Sequence, residues 1–123
     1  MNDLGVIGEE VAVKFLTGKG WRIIDRNVRW PHGELDILAV DPRGVMVGVE
    51  VKMSNRENSV GPESRLSFKK IKKVRDGLEY VVRDRGWWGR EMRVDGLTLI
   101  SKTADLTDNI NNYVINLIEN MAR

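Results

Sequence analysis

The sequence contains no cysteine, which excludes a disulfide framework, a zinc ribbon, thiol redox chemistry and a cysteine nucleophile. No window approaches the ~18 apolar residues of a membrane span. The first ten residues, MNDLGVIGEE, lack a basic segment followed by an apolar one. A soluble, cytoplasmic protein is the expectation. Internal repeats, low-complexity tracts and linkers are also missing, so residues 1–123 read as a single domain. What remains, 123 residues of which 41% are hydrophobic and 31% charged, suffices to close one core without metal or disulfide staples.

The formal charge of +2 conceals an uneven distribution. Residues 1–60 carry net −1, residues 61–93 net +5 and residues 94–123 net −2. A basic middle third could engage phosphates, because clustered Lys and Arg displace counterions from nucleic acid. A solvated helix face accounts for the same charges.

Hydrophobic periodicity orders the chain. Ile7, Val11 and Phe15, with Ala12 and Leu16 alongside, predict an amphipathic helix over about 4–17, stopped by Gly18 and Gly20. Trp21 to Ile24 reads as a short strand running into a turn region, Asn27 to Gly33, that contains Pro31. Glu34 to Val40 is a second strand and Asp41-Pro42-Arg43-Gly44 a hairpin turn. In the third strand Val45, Val47, Val49, Val51 and Met53 share one parity, so the period of two sends all five to the core. A polar loop follows. The next helix, about Ser67 to Arg83, has Phe68, Ile71, Val74, Leu78, Val81 and Val82 as its stripe. A Gly/Trp connection leads to a strand, Arg93 to Ser101. Ile110, Val114, Leu117, Ile118 and Met121 then predict a last helix over about Thr107 to Ala122. The order α-β-β-β-α-β-α argues for a three-layer α/β domain with a mixed central sheet flanked by helices.

The third strand also carries the chemistry. Glu50 and Lys52 project from one face with Cα atoms roughly 6.5–7 Å apart. An antiparallel hairpin would bring Asp36 onto that face while Leu35, Ile37, Val49 and Val51 anchor the other. Two readings stand. Lys52 can form a salt bridge to Glu50 or Asp36 on a solvated face. Alternatively, the paired carboxylates bind a hard cation, Mg²⁺ or Mn²⁺, with Lys52 orienting a water or neutralising charge at phosphorus. On the first helix Glu9 borders the packed face and could look into such a site; helix-dipole compensation explains it equally well. On the lysine-bearing helix Lys70 lies nearest the buried edge, so Lys70 and then Lys72 are assigned to phosphate contact, with Lys69 and Lys73 outward. Trp87 and Trp88 read as packing against the sheet edge or a second copy rather than as base-stacking residues. His32 is assigned no chemistry. Arg93 and Asp95 share a strand face and pair with each other or with neighbouring strands.

Several ordered pieces resemble one family. Gly8-Glu9-x-x-Ala12 with Phe15-Leu16, Gly20-Trp21-x-Ile23-Ile24-x-x-Asn27, Gly33-Glu34-Leu35-Asp36-Ile37-Leu38-Ala39 and Val49-Glu50-Val51-Lys52 are similar to the YraN-like proteins. Gly61-Pro62, Arg93-x-Asp95 and Ile118-Glu119-Asn120 extend the resemblance over nearly the whole chain. That family belongs to the restriction-endonuclease-like nuclease superfamily, whose signature is an Asp followed by (D/E)-x-K. The N-terminal half is also similar to archaeal Holliday junction resolvases. The resemblance implies a restriction-endonuclease-like fold and a metal-dependent endonuclease acting on DNA, branched or structured forms included. A nucleic-acid-binding protein that keeps the fold without cutting is the alternative. It further implies that Asp36 and Glu50, with the Val51 carbonyl, hold Mg²⁺ or Mn²⁺, that Glu9 supports a second metal or a water, and that Lys52 is the catalytic lysine. Ser54 stands where the family usually has Arg; Arg56 is close enough to substitute, and with Arg65 it places the 54–65 loop on the nucleic-acid backbone. A homodimer would bring one such site to each strand of a duplex.

Overall fold

Val11, Ala12 and Leu16 form the fully buried face of helix α1, Asp3–Gly18. Its end is a closing turn in which Gly20, at φ 88°, lets the Trp21 N–H reach the Leu16 carbonyl at 3.1 Å. Helix α2, Phe68–Asp84, ends in the same way: Gly86 has φ 76° and the Trp87 N–H bonds the Val82 carbonyl at 2.9 Å. In each case the tryptophan after the glycine packs onto the core beneath its own helix. Packing is thus the role the structure gives Trp87, with the Arg85 guanidinium 5.5 Å over its ring. In a computed structural model of the chain, residues 3–54, 68–87, 89–105 and 107–121 are described; Trp88, Arg56 and Arg65 lie outside them.

Between the helices lies a mixed sheet in the order β1 (Arg22–Trp30), β2 (Gly33–Val40), β3 (Met46–Ser54), β4 (Met92–Ser101) and β5 (Tyr113–Ile118). The hairpins β1–β2 and β2–β3 are antiparallel, β3 and β4 run parallel across the α2 crossover, and β5 returns antiparallel to β4. Helix α1 covers one face through Ile37, Ala39, Val47, Val49, Leu97 and Leu99. Helix α2 covers the other through Leu38, Val40, Met46 and Val94. The three-layer α/β architecture is therefore as the periodicity implied.

Two elements differ from the sequence reading. The expected helix over 107–122 is a short 3₁₀ turn, Ile110–Asn112, followed by strand β5. Ile110, Val114, Leu117 and Ile118 satisfy helical spacing, but Tyr113, Ile115 and Leu117 also alternate, and it is these that pack on the α1-side core. β-branched residues favour the strand, the Asn112 amide is engaged with the Asp105 carbonyl at 3.0 Å, and the outer edge of β4 gains a ladder from Gly96↔Ile118 to Ser101↔Tyr113. The short strand expected at 21–24 runs over Arg22–Trp30, through the expected turn region. Its pattern is hard to see because Asn27 sits at φ 52°, and a left-handed residue inside a strand reverses which side chains face which layer. Arg26 and its partner Ile37 face α1, whereas Val28 and its partner Leu35 lie in the α2 cluster. Leu35 consequently does not share a face with Ile37, contrary to strict alternation.

Candidate active site

The reversal at Asn27 and Leu35 occurs where the sheet opens. The β2–β3 ladder runs from Val40↔Met46 to Ile37↔Val49 and stops. One step further, the Asp36 side chain takes the place of a strand partner: its Oδ2 accepts a hydrogen bond from the Val51 N–H at 2.9 Å. The gap so formed is a cleft of about 330 Å³ between the N-terminal parts of the two helices. Glu9, Glu34, Asp36 and Glu50 line it together with Val51, Lys52 and Lys70.

Glu50 is 2% exposed, an unusual position for a carboxylate, and its Oε1 lies 2.5 Å from the Lys70 Nζ of α2. Burial drives its pKa up to about 7, and the adjacent Asp36 carboxyl, close enough to hydrogen-bond, adds to the rise; Lys70 opposes both. Burial also pushes Glu9 up; a hydrogen bond with the Asn27 side chain counters this, as does the Arg26 guanidinium 4.0 Å away. Asp36 acts on Glu9 as well as on Glu50, which places three carboxyls in one electrostatic neighbourhood. Among the described residues, however, no group of three or more His, Cys, Asp and Glu is close enough to hold a metal ion. The tight unit is the Asp36–Glu50 pair. Two carboxyls in such contact hold either a shared proton or a cation between them, and Lys70 supplies part of that positive charge.

The structure thus brings Glu9, Asp36, Glu50 and Lys52 to one cleft. Lys52 is half-buried and makes no ion pair among the described residues; the lysine bonded to Glu50 is Lys70. The face around Glu50 is accordingly not a solvated one. Lys70, read from the sequence as a phosphate contact, points into the cleft, while Lys72 is exposed on the outer side of α2. Arg93 and Asp95 pair as expected, at 2.9 Å, and Arg93 also reaches Asp41 at 2.6 Å, in a network away from the cleft. Asn27 and Arg26 were not singled out as site residues. The one available signal was Asn27 itself, since Asn is the non-glycine residue most at ease at positive φ.

Comparison with known proteins places the chain. Among solved structures, a repair endonuclease from Pyrococcus abyssi superimposes at a TM-score of 0.40 with 16% identity, covering 66% of this chain and 30% of that one. A complex of EndoMS with double-stranded DNA gives 0.43 and 11%, covering 72% and 34%. This chain spans about a third of the length of either, and likeness at that level carries no functional argument. Sequence relatives are nearer. A UPF0102 protein of Persephonella marina (strain DSM 14350 / EX-H1) is 33% identical over 97 residues, 79% of this chain and 83% of that protein. One of Mycobacterium sp. (strain KMS) is 34% identical over 99 residues, 78% of this chain and 73% of the relative. The profile described as Uncharacterised protein family UPF0102 matches residues 8–99, from the glycine before Glu9 through most of β4. The chain belongs to the UPF0102 family.

Proposed function

We propose that this protein is a metal-dependent endonuclease that hydrolyses phosphodiester bonds in DNA at the Asp36–Glu50 cleft. The observation that carries the proposal is the contact of these two carboxyls, one of them buried, at the point where the β2–β3 ladder ends beside Lys52. A buried carboxyl raised toward neutrality and in contact with a second one, as Glu50 is with Asp36, is held at a cost unless a cation compensates it. An oxygen-only donor set fits a hard divalent ion, Mg²⁺ or Mn²⁺, and Asp36, Glu50 and the Val51 carbonyl would hold it. When bound, such an ion acidifies water and offsets charge on the phosphate oxygens. The residues have separate tasks. Asp36 and Glu50 would hold the ion beside the reacting phosphate, whose charge it would offset. The Lys52 ammonium, a compact donor of three hydrogen bonds, orients the attacking water or takes up charge as the bond to phosphorus forms. Glu9, raised by burial, is suited to hold a water on the α1 side. The basic 61–93 segment, with Lys72, Arg56 and Arg65, draws in the strand.

The test is cleavage of single-stranded, duplex and branched DNA in Mg²⁺ or Mn²⁺ by the wild type, Asp36→Asn and Lys52→Ala. The expected result is wild-type cleavage lost in both variants; cleavage that survives both would remove the site. A second reading, a nucleic-acid-binding protein without catalysis, draws on the Lys70 ammonium already seated on Glu50 and on the lack of a three-residue ligand set among the described residues. Binding without cleavage in either metal would favour it. A homodimer in which each copy cuts one strand belongs with the catalytic reading.

A further inference from the structure

Beside the acidic cleft lies a smaller one of about 150 Å³, lined by Trp30, His32, Lys73 and Val74. Glu34 and Lys70 line both, so the two adjoin. Two rings line it, and a third, that of Tyr80, stands beside Trp30. The Trp30 and His32 rings meet edge-on, at 82° with centroids 5.4 Å apart, and the Tyr80 ring stands 6.3 Å from Trp30 at 38°. Tyr80 is 45% exposed, and His32 is exposed. Trp30 lies close against Gly77 and Gly33. A side chain at Gly77 of α2 would put its Cβ 2.5 Å from the indole Nε1, and one at Gly33 would stand 3.2 Å from it. A glycine in mid-helix is disfavoured by propensity; here it makes room for the indole. Lys70 and Lys73 border the cleft; the Lys70 ammonium is paired with Glu50, Lys73 is exposed, and the lining carboxylate Glu34 has the Arg29 Nε 3.4 Å away.

We propose that the Trp30–His32–Tyr80 cluster seats an unpaired nucleobase of DNA, one nucleotide along from the phosphate that enters the acidic cleft. Aromatic faces accept any base, because every base presents a π-surface, and lysines alongside track the backbone. A base inside a duplex cannot reach such a seat, so the inference selects single-stranded or splayed DNA over intact duplex. A ring already braced by its neighbours loses little freedom on binding. This assignment rests on the reading of the adjoining cleft as the place where DNA is held, and it is separable from catalysis.

The test measures binding to the full chain, without divalent metal, by fluorescence anisotropy. The two probes are a labelled single strand of thymidines and a strand of the same length and charge in which the bases are replaced by abasic sites. The wild type is expected to bind the thymidine strand about tenfold more tightly. Tyr80→Ala and His32→Ala, both at exposed positions that leave the core intact, should together abolish that preference; Lys73→Ala should weaken both strands equally. Equal affinity of the wild type for the two strands, or a preference that survives the double variant, would overturn the proposal. Cleavage that depends on Asp36 but shows no preference for unpaired bases refutes the seat alone. A base preference in a protein that cuts nothing refutes the nuclease reading and sustains the seat.

Discussion

The Lys70 ammonium stands 2.5 Å from the Glu50 carboxylate, joining the start of α2 to the centre of the sheet inside the candidate active site. Lys70 is nearly half exposed and Glu50 almost wholly buried, so the pair is asymmetric: water can rehydrate the lysine but not the glutamate. Removing the lysine, in Lys70→Met, leaves the carboxylate buried and less compensated. Because of the lysine's exposure the loss should be only about 1–2 kcal/mol, read as a lower urea midpoint near pH 8.

Glu50 also sets a pH dependence. Its pKa lies near 7 when folded, against an ordinary value of 4.5. A carboxyl raised by folding favours the folded state while protonated. Its contribution to stability is fully present below about pH 4.5 and is lost as the pH rises through about 7. Without divalent metal, Glu50→Gln should therefore gain on the wild type as pH rises from 5 to 8, with the advantage levelling off above 7. Parallel stability curves would contradict this. Mn²⁺ should raise the thermal midpoint of the wild type at pH 8 and not that of Glu50→Gln.

Arg93 bridges Asp41 and Asp95, both buried, with its guanidinium 5.6 Å over the Trp21 ring. Arg93→Met would leave two buried carboxylates without a cation, a loss of about 3–5 kcal/mol. Because the network lies away from the cleft, the folded fraction at low temperature should bind DNA as the wild type does. Urea unfolding and a binding isotherm check the two halves.

Gly77→Ala should destabilise although alanine is the better helix former by about 1 kcal/mol. The added Cβ would fall 2.5 Å from the Trp30 Nε1, so the indole must leave its seat, and overpacking of this kind costs about 1–3 kcal/mol. A net loss of stability with altered tryptophan fluorescence is expected; a net gain would show that the indole moves aside freely.

At Asn27, φ is 52° and the side chain bonds Glu9. Glycine keeps the backbone and loses the bond, whereas alanine loses both. Asn27→Ala should thus be the less stable of the two by about 1 kcal/mol, while the two variants should share any change in cleavage that comes from Glu9. Thermal melts alongside the cleavage assay separate the effects.

Much of the fold and the site is legible in the residues. The parity of Val45 to Met53 places Glu50 and Lys52 on one side of β3, and the spacing across the Asp41–Gly44 turn brings Asp36 beside Glu50 without reference to the rest of the chain. The residues that escaped are those set by tertiary packing. Lys70 reaches Glu50 only because α2 crosses β3 at a particular height, which a helical wheel does not contain. The face change at Leu35 depends on one dihedral angle at Asn27, on another strand. At residues 113–118 the apolar positions fit periods of both 2 and 3.6, and the unfilled edge of β4 decides between them.

Strand β1 forms one edge of the sheet, and its charges bear on how the molecule meets its own copies. Arg22, Asp25, Arg26 and Arg29 lie along it, the register shifts between Ile23 and Asp25, and Asn27 turns the backbone out of the extended region. Charge, a bulge and a left-handed residue each discourage a foreign strand from continuing a ladder. The outer side of β1 is therefore guarded against aggregation by strand addition, and self-association that lengthens the sheet there is disfavoured. Asn27 and Arg26, which interact with Glu9 of the cleft, thus also belong to the features that discourage pairing at this edge.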